Sequence, residues 1–191
     1  MPLTDTTFQK LTWYLFERKN HKVYAVLDGA SVPKLPHRLW QDQPSNVCLY
    51  RGDLEPDLVY TAPYLVDLTA DSAFTQWVLQ EGWGKHWGIF AITPSDLKTL
   101  RKHFRTFLMV FSPEGKPLYF RYYDPRVLRV YLPTCNVEEM RTVFGPIINY
   151  VVEAENPEQL VRFSIGRDAP LKEEMEIQNI LVKPRLEDDE I

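Results

Sequence analysis

Three aspartates stand where an α/β enzyme often carries catalytic carboxylates: Asp28, Asp67 and Asp124 each follow a stretch that reads as a β-strand. Asp28 and Asp124, joined by His86 around a divalent metal, would make a small metal-dependent hydrolase. Each aspartate has a structural reading beside the catalytic one. Asp28-Gly29 is a turn pair, and Asp124-Pro125 suits a helix start, where the carboxylate accepts free N–H groups and proline takes the first helical position. Capping is the favoured role for Asp124. His21, His37, His86 and His103 lack the H-E-x-x-H spacing that sets two imidazoles on one helical face, so no metal is assigned. Ser31, Ser72 and Ser112 lie outside a G-x-S-x-G elbow, neither Cys48 nor Cys135 has an assignable histidine base, and the glycines form no phosphate cradle. The expectation is a protein without catalytic residues or cofactor.

Arg121, Arg126 and Arg129 bracket Tyr122, Tyr123 and Asp124. Interleaved rings and guanidiniums can stack on and neutralise a nucleic-acid strand. Arginine also binds carboxylates through planar, bidentate contacts, so an internal Arg–Asp network or a protein interface serves equally well. Trp77, Trp83 and Trp87, set around Gly82, Gly84 and Gly88, read as core aromatics or as part of an interface hot spot.

The elements that must position these residues alternate along the chain. Thr4 can cap a helix carrying Phe8, Leu11 and Leu15 and ending near Lys19 and Asn20, and Lys22 to Leu27 reads as a strand. Val32 to Gln41 suggests a helix interrupted by Pro33 and Pro36, followed by strands at Val47 to Tyr50 and Tyr64 to Val66. Asp71 or Ser72 can cap a helix that stops near Gly82. His86 to Ile92 then reads as a strand that turns at Thr93-Pro94 into a helix with Leu97, Leu100 and Phe104 inward and a basic face outward. Phe107 to Phe111 and Leu118 to Tyr123 flank Ser112-Pro113-Glu114-Gly115-Lys116, the clearest hairpin signal in the chain. Asn136 can cap a helix ended by Gly145-Pro146, Ile147 to Glu153 and Leu160 to Ile165 suggest a late hairpin, and Lys172 to Leu181 fits helix or strand. The fold class expected is mixed α/β, a mixed β-sheet with at least one antiparallel hairpin, flanked by helices.

A length of 191 residues suits one domain, and 45% apolar with 25% charged residues matches a folded chain rather than a disordered one. The net charge of -4 removes the bulk attraction behind non-specific nucleic-acid binding. The first residues do not read as a signal peptide, the apolar runs are too short to span a bilayer, and the two cysteines suggest reduced thiols. The expectation is a cytoplasmic protein without nucleic-acid or membrane partners.

Several short motifs occur in one order: Tyr24-Ala25-Val26-Leu27-Asp28-Gly29-Ala30, Leu49-Tyr50-Arg51-Gly52, Ala62-Pro63-Tyr64-Leu65-Val66, Trp87-Gly88, Arg121-Tyr122-Tyr123-Asp124-Pro125-Arg126-Val127-Leu128 and Phe144-Gly145-Pro146. Together they resemble the adaptor, or effector-chaperone, domain of bacterial type VI secretion systems, a family first catalogued as a domain of unknown function. The resemblance spans about Val23 to Pro146. It implies a cytoplasmic, non-enzymatic protein that binds a secreted effector and helps load it onto the VgrG spike protein. It further implies that residues 1–146 form the scaffold domain and that the more variable C-terminal part recognises the effector. Here that part is a short extension, 147–191, expected to pack on the same domain and to end in a disordered acidic tail near 187–191. Asp28, Tyr64, Trp87, Arg121, Tyr123, Asp124 and Arg126 are the residues expected to organise the scaffold or a partner-binding face.

Overall fold

Alternating burial along the strands explains the architecture. In β1 (Lys22–Asp28), Val23, Ala25 and Leu27 face one hydrophobic cluster while Tyr24 and Val26 face another, so the strand is buried on both sides. The same division recurs in β3 (Pro63–Leu68), β4 (Gly88–Thr93) and β7 (Asn149–Glu153). A strand buried on both faces needs helices on both faces. On one side lie α1 (Asp5–Phe16), α2 (Leu35–Asp42) and α4 (Ala73–Gly82), contributing Leu11, Leu35, Phe74 and Leu79. On the other lie α5 (Leu97–Thr106), α6 (Pro125–Tyr131) and α7 (Val137–Phe144), contributing Phe104, Leu128, Met140 and Phe144. The computed structural model describes residues 3–182, so the acidic tail expected near 187–191 lies outside the described residues.

With β2 (Asn46–Cys48), β8 (Gln159–Ile165) and β9 (Pro170–Glu176), the main sheet has the order β2-β3-β1-β4-β7-β8-β9. Helices and sheet give the expected mixed α/β class, but every registered pairing is antiparallel, so the sheet is not mixed in strand direction. The reason is topological: β1 sits between β3 and β4 and opposes both, while α4 carries the chain across from β3 to β4. Strands β7 to β9 extend the same sheet from β4, so the segment after Pro146 shares the core through Val151, Leu160 and Ile177. A separate two-stranded ribbon, β5 (Met109–Phe111) and β6 (Pro117–Tyr119), forms around the predicted turn.

Local signals explain most helix starts. Thr4, Ser72, Asp96 and Asp124 each accept a backbone N–H from the first turn of α1, α4, α5 and α6, and Asn136 with Glu139 forms a capping box on α7. Several boundaries differ from expectation. Helix α1 stops at Phe16 because the following Glu17 to Asn20 offers no apolar residue to bury. Pro36 opens α2 instead of interrupting it, since a proline in the first turn forfeits no helical hydrogen bond. Leu49 and Tyr50 leave the β2 ladder and turn their carbonyls to the Arg105 guanidinium. Tyr122 and Tyr123 are core residues at a turn, beyond the end of β6. His86 lies outside β4 with φ 60°. A short helix, α3 (Pro56–Thr61), was not anticipated, and the ambiguous segment after Lys172 continues as strand to Glu176 before a 3₁₀ turn at Ile177–Asn179.

Candidate functional site

The predicted residues gather at one end of the sheet. Leu27 on β1 stands opposite Tyr64 on one side and Gly88 on the other, and Asp28 stands opposite Pro63. The end of β1 therefore meets the starts of β3 and β4, with Trp87 one residue before β4. Gly88 is required by this approach: a Cβ there would lie 2.2 Å from the Val26 carbonyl oxygen. Gly29 is similarly tight, since its Cβ would lie 2.5 Å from the Ala62 carbonyl oxygen.

Asp28 is 1% exposed, yet its carboxylate is fully engaged. Oδ1 accepts the Ala30 N–H at 3.1 Å, and Oδ2 accepts the Ser31 hydroxyl at 2.8 Å and the Arg121 guanidinium. Burial opposes the charge on Arg121, but the Asp28 hydrogen bond and charge outweigh it and hold the arginine above its ordinary pKa. Asp28 thus closes its own turn and ties the segment after β6 to the end of β1, 93 positions away.

Asp124 caps α6 as expected, with Oδ1 accepting the Arg126 N–H at 3.0 Å. The same carboxylate takes a bidentate contact from the Arg126 side chain, Nε at 3.0 Å and Nη2 at 2.7 Å. Burial alone would raise the Asp124 pKa; the Arg126 hydrogen bonds and the charges of Arg126 and Arg121 reverse this and lower it. Arg126 also feels the charges of Glu153 and Asp28, so carboxylates and guanidiniums alternate across this end of the sheet. Beside Asp124 and Arg126 lies an open depression of ≈ 610 Å³ over Val127, Val130, Tyr131 and Thr134, with Val130 prominently exposed.

The aromatic members are mainly structural. Tyr64 is buried and donates to the Val59 carbonyl at 3.0 Å, and burial pushes its phenol up to about 12. Trp87 packs 4.8 Å from Trp77, under the Lys85 ammonium, and fills the space where a side chain on Gly82 would stand. Tyr123 is buried and shares a hydrogen bond with Tyr50. These three rings set the geometry that Asp28, Arg121, Asp124 and Arg126 then join.

One residue of this end escaped the sequence reading. Glu153, at the end of β7, is 3% exposed and accepts the Gly84 N–H at 2.6 Å, the His86 N–H at 3.0 Å and the His86 Nδ1. Burial raises its pKa, against the pull of those donors. Arg129 adds a hydrogen bond to the Glu153 carbonyl at 2.5 Å. The available signal was a lone carboxylate closing a strand, Ile147 to Val152, that is apolar but for Asn149 and the Tyr150 hydroxyl.

The groups of the hydrolase reading go to different partners: Asp28 to Arg121, Asp124 to Arg126 and the start of α6, and His86 to Glu153. Among the described residues, no three His, Cys, Asp or Glu side chains meet where they would hold a metal ion. Cys48 and Cys135 are free, and burial pushes both thiols up. No described helix is long and apolar enough to cross a membrane. What this end of the sheet offers chemically is a rigid, charge-alternating surface beside an apolar depression, with Arg121 and Arg126 each about half exposed.

An antiparallel sheet between two helical layers, its end tied by arginine–carboxylate pairs, is the scaffold these motifs build. Residues 23–142 match the family described as Domain of unknown function (DUF4123), and the chain belongs to that family. The matched range runs from β1 into α7, so α1 and β7 to β9 complete the core from outside it. No curated protein and no solved structure matches the chain.

Proposed function

We propose that this chain is a cytoplasmic adaptor that binds a type VI secretion effector and promotes its loading onto the VgrG spike protein. The observation that carries this reading is the β5–β6 ribbon. Met109, Val110, Phe111, Leu118 and Tyr119 are all exposed on it, Phe111 at 71%. Apolar side chains concentrated on a projecting two-stranded ribbon are a liability for a protein that acts alone and an asset for one that binds another. The ladder adds to this. Phe120 donates to Leu108 and Ser112 to Lys116 across the ribbon, so alternation turns the backbone groups of Met109 and Phe111 outward, where an added strand can pair. The ordered motifs shared with type VI adaptor domains and membership of DUF4123 support the same reading.

The two ends of the task fall on two surfaces: the apolar ribbon for the effector, and the Arg121–Arg126 end with the α6 depression for the spike. The test is co-purification with effectors encoded beside a VgrG gene. The cognate effector is expected to co-elute and to melt at higher temperature in the complex, and Phe111→Ser with Leu118→Ser to abolish both effects. Failure of every such effector to bind the wild-type chain refutes the proposal.

A further inference from the structure

The ribbon is continuous with a strongly basic surface. Tyr119 of β6 packs against Tyr50 with ring centroids 5.1 Å apart. Arg105 donates to the carbonyl oxygens of Cys48, Leu49 and Tyr50 at 3.0, 3.0 and 2.7 Å, fixing the segment that presents Tyr50 and Arg51. Burial, followed by the nearby charges of Arg101 and Arg51, lowers the Arg105 pKa, so three guanidiniums crowd beside the Tyr50–Tyr119 pair. Helix α5 carries Lys98, Arg101, Lys102 and Arg105 and no carboxylate. Arg51, Arg101 and Lys102 are exposed, and among the described residues none has a carboxylate within ion-pair distance. In a chain of net charge -4, such an unneutralised patch is a local reversal of sign. Like charges held together repel until an anionic partner covers them, and a field of this kind steers that partner inward.

We infer that the basic surface and the apolar ribbon form one docking face for an extended, acidic segment of the partner protein, with apolar side chains interspersed among its carboxylates. This rests on the adaptor reading and names the chemistry of what is held. Carboxylates of the segment meet Arg51, Arg101 and Lys102, while its apolar side chains cover Met109 and Phe111, which share the Tyr119 face of the ribbon. A nucleic-acid strand would share the charge complementarity and would find rings to stack on at Phe111 and Tyr119, but it brings no aliphatic side chains to cover Met109, Val110 and Leu118, so the peptide is the favoured occupant and the oligonucleotide an outcome of the test.

The test uses fluorescein-labelled peptides of roughly twelve residues, long enough to follow a strand edge, in which Glu alternates with Val and Phe. A Lys-for-Glu counterpart and a single-stranded oligothymidine serve as competitors in the same anisotropy titration. The acidic peptide is expected to bind, to weaken as salt is raised, and to lose about tenfold or more in affinity to the Arg51→Glu/Arg101→Glu variant. Both arginines are exposed and, among the described residues, make no side-chain hydrogen bond or ion pair, so the variant is expected to melt with wild type; Lys102→Glu supplies an independent reversal on the same surface. Equal binding of acidic and basic peptides, indifference to charge reversal, or tighter binding of the oligonucleotide overturns the inference. Co-elution separates it from the adaptor reading. An effector held equally by wild type and the reversed variant overturns this docking face alone, whereas a wild type that holds no effector overturns the adaptor reading itself.

Discussion

Replacing Asp124 by alanine removes two interactions at once, and they can be measured apart. The first is the cap on α6, an acceptor for the Arg126 N–H whose loss costs about 0.5–2 kcal/mol. The second is the bidentate ion pair with the Arg126 side chain. Although Asp124 is buried, the Arg126 side chain is 55% exposed, so water screens the pair and its worth is about 0.5 kcal/mol. Asp124→Ala should therefore lose about 1–2.5 kcal/mol, a fall in Tm of roughly 3–8 °C for a domain of this size. Asp124→Asn keeps the cap acceptor and loses only the charge, so it should lose about 0.5–1 kcal/mol. Urea denaturation of Asp124→Asn, Arg126→Ala and the double variant closes the cycle and isolates the ion pair. The pH dependence gives a further check. Because the Asp124 pKa is lowered in the folded chain, its contribution is present above the ordinary carboxylate value of 3.8 and is lost as pH falls through the lower folded value. The gap between wild type and Asp124→Ala should accordingly narrow in strong acid. An asparagine variant as unstable as the alanine one would refute the capping argument.

Three further outcomes follow from other parts of the fold. Glu153→Ala removes the acceptor of the Gly84 and His86 N–H groups, which are only partly shielded from water, and should cost about 1–3 kcal/mol, with Glu153→Gln milder because one acceptor survives; chemical denaturation of both variants reads the difference. Burial lowers the His103 pKa below 6.5 while its Nε2–H donates to the Val143 carbonyl at 2.9 Å, so stability should fall as pH drops from 6.5 through the folded value. A His103→Phe variant should lack that slope in melts taken across this window. Gly88→Ala should cost more than about 2 kcal/mol, because the added carbon drives against the β1 backbone instead of a movable side chain, and a Tm within a degree or so of wild type would contradict the close approach.

What the sequence disclosed were features encoded within a few residues. Ser112 to Lys116 announces its turn through Pro and Gly, Asn136 announces a helix cap that the structure completes with Glu139, and Asp124-Pro125 announces a helix start. The grouping of Asp28, Tyr64 and Trp87 at one sheet end was not foreshadowed, because it follows from the register of β1 against β3 and β4. Pairings across long separations were not legible. Nothing near Asp28 indicates that its partner is Arg121, and Glu153 meets His86 only because β7 pairs with β4. Strand direction was equally hidden: β1 and β3 read alike in either orientation because both faces of each are buried, and only the placement of β1 between β3 and β4 settles it. Helix α3 escaped because its outward residues leave no buried stripe to detect.

The ribbon's two feet are set in the core although its length is not. Phe107 and Leu108 enter it from buried positions, and Tyr122 leaves it into the core, fully buried, donating to the Phe104 carbonyl and stacking on the Phe104 ring. Its direction in space is consequently fixed before anything binds. A partner meeting the ribbon forfeits little conformational freedom of the receiving side, which leaves more of the contact free energy as affinity. On the adaptor reading proposed above, truncating Phe107 or Tyr122 should loosen the ribbon and hasten dissociation of the partner, although the partner would touch neither residue.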